Sequence, residues 1–460
     1  MVLKIYNSFS KNIEEFKPQE NSKVSLYTCG PTVYNYPHIG NYRAYVFGDV
    51  LKRTLLALGY EVNHIMNITD IDDKTIRDSI KENKTLVDFT EFYTQEFYKD
   101  RDMLAIIPAT LYTKATDHIP EMVLMIEILL QKGYAYKTPD GSVYFSIKTD
   151  PDYGRLSRID MSALKDNAAH RLNQDEYTKD DAQDFALWKA WDKNDGDVFW
   201  DPSTLLGKST SLGKGRPGWH IECSAMSTKY LGTTIDIHTG GVDNIFPHHE
   251  NEIAQSESVT DKPFVNYFLH NEHLQVDGKK MSKSEGNFYT LRDIIEKGYN
   301  PLSYRYFCLL AHYRTPTNFT WEALTASQNA LENLQTFYAL NLTAHTDHIH
   351  EPSKQAFLEA LSADLNTPLA LATVFQTLGD DTLSGEVKIG TLRYFDSVLG
   401  FGIDGLIPQM TEEIQKLIET RDTARINKDF ATSDTLRTEL ENLGLKVFDT
   451  KEGTRVIKKF

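Results

Sequence analysis

The chain has 460 residues, a formal charge of −16, 40% hydrophobic residues and 25% charged ones. That length exceeds what one hydrophobic core normally serves, so more than one domain is expected. Three scattered cysteines exclude a disulfide framework and fit a reducing compartment. No run reaches the roughly 18 apolar residues of a membrane span, and Met1–Ile5 has no signal-peptide layout, so a cytoplasmic location is expected. The acidic balance argues only weakly against a nucleic-acid partner, because binding needs a local basic face rather than a positive sum.

In chain order, Val24–Cys29 alternates like a buried strand and Gly30-Pro31 ends it. His38 to Leu58 reads as a helix closed by Gly59, and Glu61–Asn67 as the next strand. A β-α-β unit of this crossover length pairs its strands in parallel. From about Thr116 the character changes. Pro120 to Leu130 reads as a helix ended by Gly133. Tyr134–Lys137 and Val143–Ile147 flank a Pro139-Asp140-Gly141 turn as a hairpin. The stretch on to about Ser211 is rich in Asp, Asn and Lys, and residues 116–205 read as an insertion. Ile235–His238 resumes the sheet, Gly240-Gly241 is expected to turn it, and a helix starts near His248.

Beyond Trp321 the apolar spacing of three and four predicts helices over Ala323–Leu340, Ser353–Leu361, Pro368–Leu378 and Lys388–Leu399, an antiparallel bundle. Gly402–Gln409 reads as a linker. Helices over Glu412–Lys428 and Ala431–Leu443 and a basic terminal strand pair follow. That basic tail reads equally as a lysine-protected edge strand.

Three groups of residues carry chemistry. Pro37-His38-Ile39-Gly40-Asn41 opens the first long helix, where free N–H groups and the dipole favour phosphate oxygens. His38 can donate to a transferring phosphoryl group, and Gly40 lets the backbone approach a nucleotide. A merely structural helix start is the competing reading. Lys280-Met281-Ser282-Lys283-Ser284 follows the apolar run Phe264–Leu274, with Gly278 and Gly286 on either side. Two lysines on such a loop suit a leaving pyrophosphate, although a solvated basic loop is the commoner fate of such a string. The third group resembles a metal site. His248 and Glu252, four apart, project from one helix face, and Cys29 and Cys223 are the other soft donors at hand. The two cysteines are also readable as small core residues, and Cys308, in an apolar helix, as core. His249 and Glu250 invite a zinc-hydrolase reading that fails on spacing.

Pro37–Asn41 and Lys280–Ser284 resemble the HIGH and KMSKS elements of class I aminoacyl-tRNA synthetases. With Tyr27–Tyr34, Asn67–Lys74, Arg216–Ser224 and Phe246–Glu252, the chain is similar to cysteinyl-tRNA synthetases nearly from end to end. The resemblance implies an α/β fold: a Rossmann-type parallel-sheet catalytic domain split by an insertion, then a helical bundle and a small C-terminal α+β unit. The expected boundaries are 1–115 and 206–275 for the two catalytic halves, 116–205 for the insertion and 276–320 for the KMSKS and stem-contact region. Residues 321–405 would form the tRNA-binding bundle and 410–460 the anticodon unit.

It implies ATP-dependent attachment of L-cysteine to the 3′-terminal adenosine of its tRNA, with Mg²⁺ on the pyrophosphate and His38, Lys280 and Lys283 stabilising charge. It implies one zinc on Cys29, Cys223, His248 and Glu252, completed by the substrate sulfur. Cys29, Thr69 and Trp219 would surround the amino acid. Gly30, Thr32, His38, Gly40, Asn41, Gly241, Asp243 and Lys283 would hold the nucleotide. A monomer is expected, with Arg455, Lys458 and Lys459 as candidates for tRNA backbone contact. Asn41 departs from the second histidine of the HIGH element: it can still donate a hydrogen bond but cannot carry a positive charge, and activity is expected to survive. A rival enzyme reading is a cysteine-activating ligase with a small-amine acceptor, which the long helical C-terminal region disfavours. A catalytically silent tRNA-binding protein is the rival outside enzymes.

Overall fold

The computed structural model describes residues 1–159, 183–281, 286–342, 348–451 and 453–459. The chain forms two compact units: residues 1–102, 106–291 and 313–318 make the first, and 103–105, 292–312 and 319–460 the second.

The first unit is built on a five-stranded parallel sheet. In chain order its elements are β1 (Lys23–Thr28), α1 (Ile39–Ala57), β2 (Glu61–Ile68) and β3 (Leu111–Lys114), then α2 (Trp219–Leu231), β4 (Ile235–Gly241), α3 (His248–Thr260) and β5 (Val265–Asn271). The strand order is β5-β4-β1-β2-β3, every pairing parallel. The chain therefore builds outward from β1 on one side, then returns to build β4 and β5 on the other. The crevice between the carboxyl ends of β1 and β4 is the topological switch point, the standard ligand position of such sheets. Cys29 leaves β1 and Gly240-Gly241 complete β4 at that crevice.

Helix α1 starts and stops where its residues dictate. His38 is the N-cap with extended backbone, and Gly59 at φ 89° follows the C-cap Leu58. Gly240 and Gly241 do not turn the chain as expected. Both stay in β4, where a side chain on Gly240 would strike Asn244 and His249. Glycine serves close approach there rather than reversal.

The insertion carries a four-stranded antiparallel sheet, Ala135–Lys137, Val143–Phe145, Phe185–Ala190 and Gly215–Pro217. Its last strand extends past residue 205, the expected end of the insertion. Gly141 at φ 98° makes the tight turn of the expected hairpin, with Thr138 N–H donating to the Ser142 carbonyl at 2.9 Å. Phe145, Phe185 and Trp188 are fully buried in the core behind it.

The second unit is mainly helical: α4 (Pro301–Leu309), α5 (Trp321–Asn341), α6 (Glu351–Ser362), α7 (Thr367–Gly379), α8 (Gly385–Leu399), α9 (Glu412–Ile426) and α10 (Phe430–Asn442). It ends in the antiparallel pair β6 (Leu445–Thr450) and β7 (Gly453–Lys458). Cys308 is buried on α4, as read. The stretch read as a linker is anchored instead: Ile403–Leu406 is a 3₁₀ turn whose end residues are fully buried. Arg455 also differs from expectation. Its Nη1 donates to the Ala339, Leu340 and Leu342 carbonyls at 3.2, 3.0 and 2.7 Å, so it caps the end of α5.

No helix among the described residues is long and apolar enough to cross a membrane.

Candidate active site

A cavity of about 500 Å³ opens at the switch point, wholly within the first unit. Twelve of the residues named from the sequence line it: Cys29, Gly30, Thr32, His38, Gly40, Asn41, Thr69, Trp219, Gly241, Asp243, His248 and Lys280. Cys223 and Glu252 lie buried behind Cys29 and His248. Lys283 lies outside the described residues.

At the helix end of the cavity, His38 and Asn41 cap α1 reciprocally. The Asn41 N–H donates to His38 Nδ1 at 3.2 Å, and the His38 N–H donates to Asn41 Oδ1 at 3.1 Å. With Nδ1 accepting, a neutral His38 carries its proton on Nε2. A Cβ at Gly40 would sit 2.9 Å from the imidazole and 3.3 Å from the Met281 methyl, so glycine there protects the ring's placement as well as the approach of a ligand. Lys280 pairs with Gln275 in a short antiparallel ladder, and its carbonyl accepts from Asn287 Nδ2 at 3.2 Å.

On the opposite wall a chain of hydrogen bonds fixes Thr69. The Gly30 N–H donates to Asn67 Oδ1 at 2.7 Å, Asn67 Nδ2 donates to Thr69 Oγ1 at 3.0 Å, and Thr69 Oγ1 donates to Glu222 Oε2 at 2.8 Å. A side chain at Gly30 would collide with the Asn67 carbonyl. Burial, reinforced by the neighbouring Cys223, pushes the Glu222 carboxyl well above its ordinary range. The Trp219 ring lies 4.4 Å from the His248 ring, centroid to centroid.

The floor is a cluster of donors. One ligand atom each from Cys29, Cys223, His248 and Glu252 falls within 4.8 Å of the others, and so does an overlapping set, Cys29, His238, His249 and Glu252. The electrostatics suit a cation. The hydrogen bond from Cys29, with His248 alongside, holds the Cys223 thiol down to about 6 against its burial, and the same bond pushes Cys29 well up. Burial opposes charge on His248, but Glu252 and Cys223 outweigh it and raise the imidazole to about 10. Burial opposes charge on Glu252 as well, yet His238 and His248 hold it down to about 2. Cys223 and Glu252 are thus both driven toward their anionic forms beside His248, the forms in which a thiol and a carboxyl take up metal.

A zinc ion fits the first set. Two thiols, an imidazole and a carboxylate are its ordinary donors. Glu252 Oε1 lies 3.0 Å from His248 Nε2 yet has no hydrogen-bond partner among the described residues. The two atoms converge away from hydrogen-bond geometry, as donors to one ion do. The second set fits less well, because its histidines already serve the first: His238 Nε2 contacts Glu252 Oε2 at 2.9 Å, and His249 Nε2 contacts Cys29 Sγ at 3.3 Å. That is the pattern of groups that orient metal ligands.

Sequence reasoning missed the row of buried imidazoles behind the floor. His249 Nδ1 meets His270 Nε2 at 2.8 Å, and His270 Nδ1 meets Ser8 Oγ at 2.8 Å. His238 and His270 within strands β4 and β5, beside His249 at the start of α3, were the available signal. Glu222, Asn67 and the cavity-lining Lys74 were also not singled out.

The model of the class I (C) tRNA synthetase catalytic domain matches residues 15–329, and that of the cysteinyl-tRNA ligase anticodon binding domain matches 408–456. A cysteine–tRNA ligase of Brachyspira hyodysenteriae is 44% identical over 98% of both chains. One from Chlamydia muridarum is 44% identical over the whole of both. Among solved structures, a methionyl-tRNA synthetase of Mycobacterium tuberculosis bound by methionyl-adenylate superposes with a TM-score of 0.55 at 13% identity, over 86% of this chain and 95% of that one. A LeuRS–tRNA–LeuAMS complex from Agrobacterium radiobacter gives 0.56 at 13%, over 84% of each. At that identity the likeness concerns the fold alone. The sheet order and the crevice at its switch point accord with these matches, and the chain belongs to the cysteine–tRNA ligase family of class I tRNA synthetases.

Proposed function

We propose that this ligase recognises L-cysteine on a zinc ion held by Cys29, Cys223, His248 and Glu252 and activates it on ATP bound beside His38. The supporting observation is the convergence of four soft and anionic donors at the floor of the cavity that His38 and Lys280 also line. When bound there, zinc supplies a Lewis acid with strong affinity for a thiolate and little for a hydroxyl, so serine is rejected without hydrolytic editing.

The chain's own residues do the rest. Thr69, locked by Glu222 and Asn67, and Trp219 flank the amino acid. Gly30, Thr32, Gly40, Asn41, Gly241 and Asp243 border ATP. The cysteine carboxylate oxygen attacks the α-phosphorus while the bond to the leaving pyrophosphate breaks. His38 Nε2–H donates to the α-phosphate oxygens, and Lys280 and Lys283, with Mg²⁺, neutralise the leaving group. A ribose hydroxyl of the terminal adenosine of tRNA then takes the cysteinyl group, and AMP leaves. The helices from Trp321 onward and the anticodon-binding match favour tRNA over a small amine as acceptor. The ligase acts as a monomer in the cytoplasm on this reading.

Charging of total tRNA with labelled cysteine, before and after stripping with a strong chelator, tests the proposal. Charging that falls on stripping and returns with zinc supports it. Charging indifferent to the metal overturns the zinc assignment, and cysteine-dependent pyrophosphate exchange without any charging points to the small-amine ligase.

A further inference from the structure

We infer that Arg43 is a positioning residue for the activation step, setting Lys280 against the phosphate end of the cavity by tying α1 to the segment that leads into the strand pairing with Lys279–Lys280. The inference rests on the assignment of His38 and Lys280 to the phosphates.

Arg43 stands on α1, two residues after Asn41, and is 3% exposed. Its guanidinium donates to four backbone carbonyls. Nη1 donates to the Glu272 and His273 carbonyls at 2.5 and 2.7 Å, and Nη2 to those of Thr315 and Tyr313 at 2.6 and 3.5 Å. The same two segments are joined to each other, the Glu272 N–H donating to the Tyr313 carbonyl at 2.9 Å. Glu272 and His273 line the cavity and lead directly into Leu274–Val276. That strand pairs with Lys279–Lys280, register Gln275 to Lys280.

The far side of the lysine loop is tied to the same helix by a separate device. Ile39 N–H donates to the Tyr289 carbonyl at 2.9 Å, His38 and Thr290 form a β-bridge, and the His38 and Phe288 rings meet at 5.1 Å. The segments before and after the loop are thus both referred to α1, one through Arg43 and the other through the His38 end. One helix therefore sets the distance between the imidazole and Lys280. Only a planar fork with several donors reaches carbonyls of two segments together, so lysine retains the charge but not the clamp.

The test is a double-mutant cycle on cysteine-dependent pyrophosphate exchange, using R43K, R43Q, K280A and R43K/K280A in the zinc-loaded full chain, with thermal unfolding and metal content checked for each. A displaced catalytic group costs on the order of 10–100-fold in rate. R43K is expected to lower the exchange kcat by that order while the cysteine Kd from calorimetry stays within about twofold. On the K280A background R43K should add less than about twofold, because both changes remove the same interaction. Additive losses in the double variant, or equal losses of cysteine affinity and kcat, overturn the inference. R43K at full rate with K280A slow overturns it alone. K280A at full rate overturns the phosphate-site reading and the inference with it.

Discussion

His38 and Asn41 hold each other: each accepts the other's backbone N–H through its side chain across the first turn of α1. The Asn41 side chain therefore has a structural task that needs an acceptor three residues from the cap, which asparagine supplies without a positive charge. Asn41→Ala removes that acceptor and loosens the turn bearing His38, at a cost of about 1 kcal/mol in helix stability. Exchange kcat is expected to drop about tenfold, with the cysteine Kd unchanged. Asn41→Asp, which still accepts, should restore the thermal midpoint but not the rate, since it places an anion beside the phosphates.

Cys223→Ala should abolish zinc retention by elemental analysis, while Cys308→Ala leaves the metal at one per chain. Both cysteines are buried, so burial alone would treat them alike. Only Cys223 lies among the converging donors. A full metal complement in Cys223→Ala would sink the ligand set.

Stability should fall as the medium is acidified below neutrality, in part through His64. Burial, aided by Lys52, lowers this imidazole to about 3, and its Nε2 contacts Thr28 Oγ1 at 3.0 Å. Its folded-state pKa lies below the unfolded value of about 6.5, so the folded chain binds fewer protons. The contribution is complete above pH 6.5 and is lost as pH falls toward 3. Between pH 8 and pH 5 the loss is on the order of 2 kcal/mol. Urea midpoints of His64→Gln should show a correspondingly shallower pH dependence than those of the parent.

Arg421, 1% exposed on α9, donates through Nη1 to Asp449 Oδ1 at 2.7 Å and to Thr454 Oγ1 at 2.6 Å, tying the helix to β6 and β7. Arg421→Met should weaken the terminal unit by up to about 3 kcal/mol, since Asp449 keeps solvent and Arg425 as company. Charging of tRNA should fall several-fold while pyrophosphate exchange is unchanged. Equal loss of both would show that the terminal unit supports the catalytic unit rather than the acceptor.

What could be read from the sequence follows from where physical information is local. Helix α1 was legible because its cap, its apolar spacing and Gly59 all lie in it or directly beside it. The candidate metal donors were visible in the residues but weakly, since their spacing holds no Cys-x-x-Cys and buried cysteines read equally as core; the family resemblance singled them out as a set. The Gly240-Gly241 pair misled, because glycine marks both turns and close approach, and only the neighbouring Asn244 and His249 decide between them. Ile403 and Leu406 were hidden in a short Gly- and Pro-containing stretch for the same reason: their burial depends on partners distant in sequence. Arg455 looked like a phosphate ligand because its charge is visible and the α5 carbonyls it meets are not.

The switch-point arrangement also orders events during synthesis. Cys29 and His249, in contact in the finished site, stand 220 positions apart in the chain. A nascent chain that has released only β1 to β3 exposes a thiol, Thr69 and the imidazole of His38, but none of the other three donors. On the proposed ligand set, the four donors come together only once α2 and α3 have packed beside β1, so metal capture would follow the second half of the sheet's chain and cannot seed its first half.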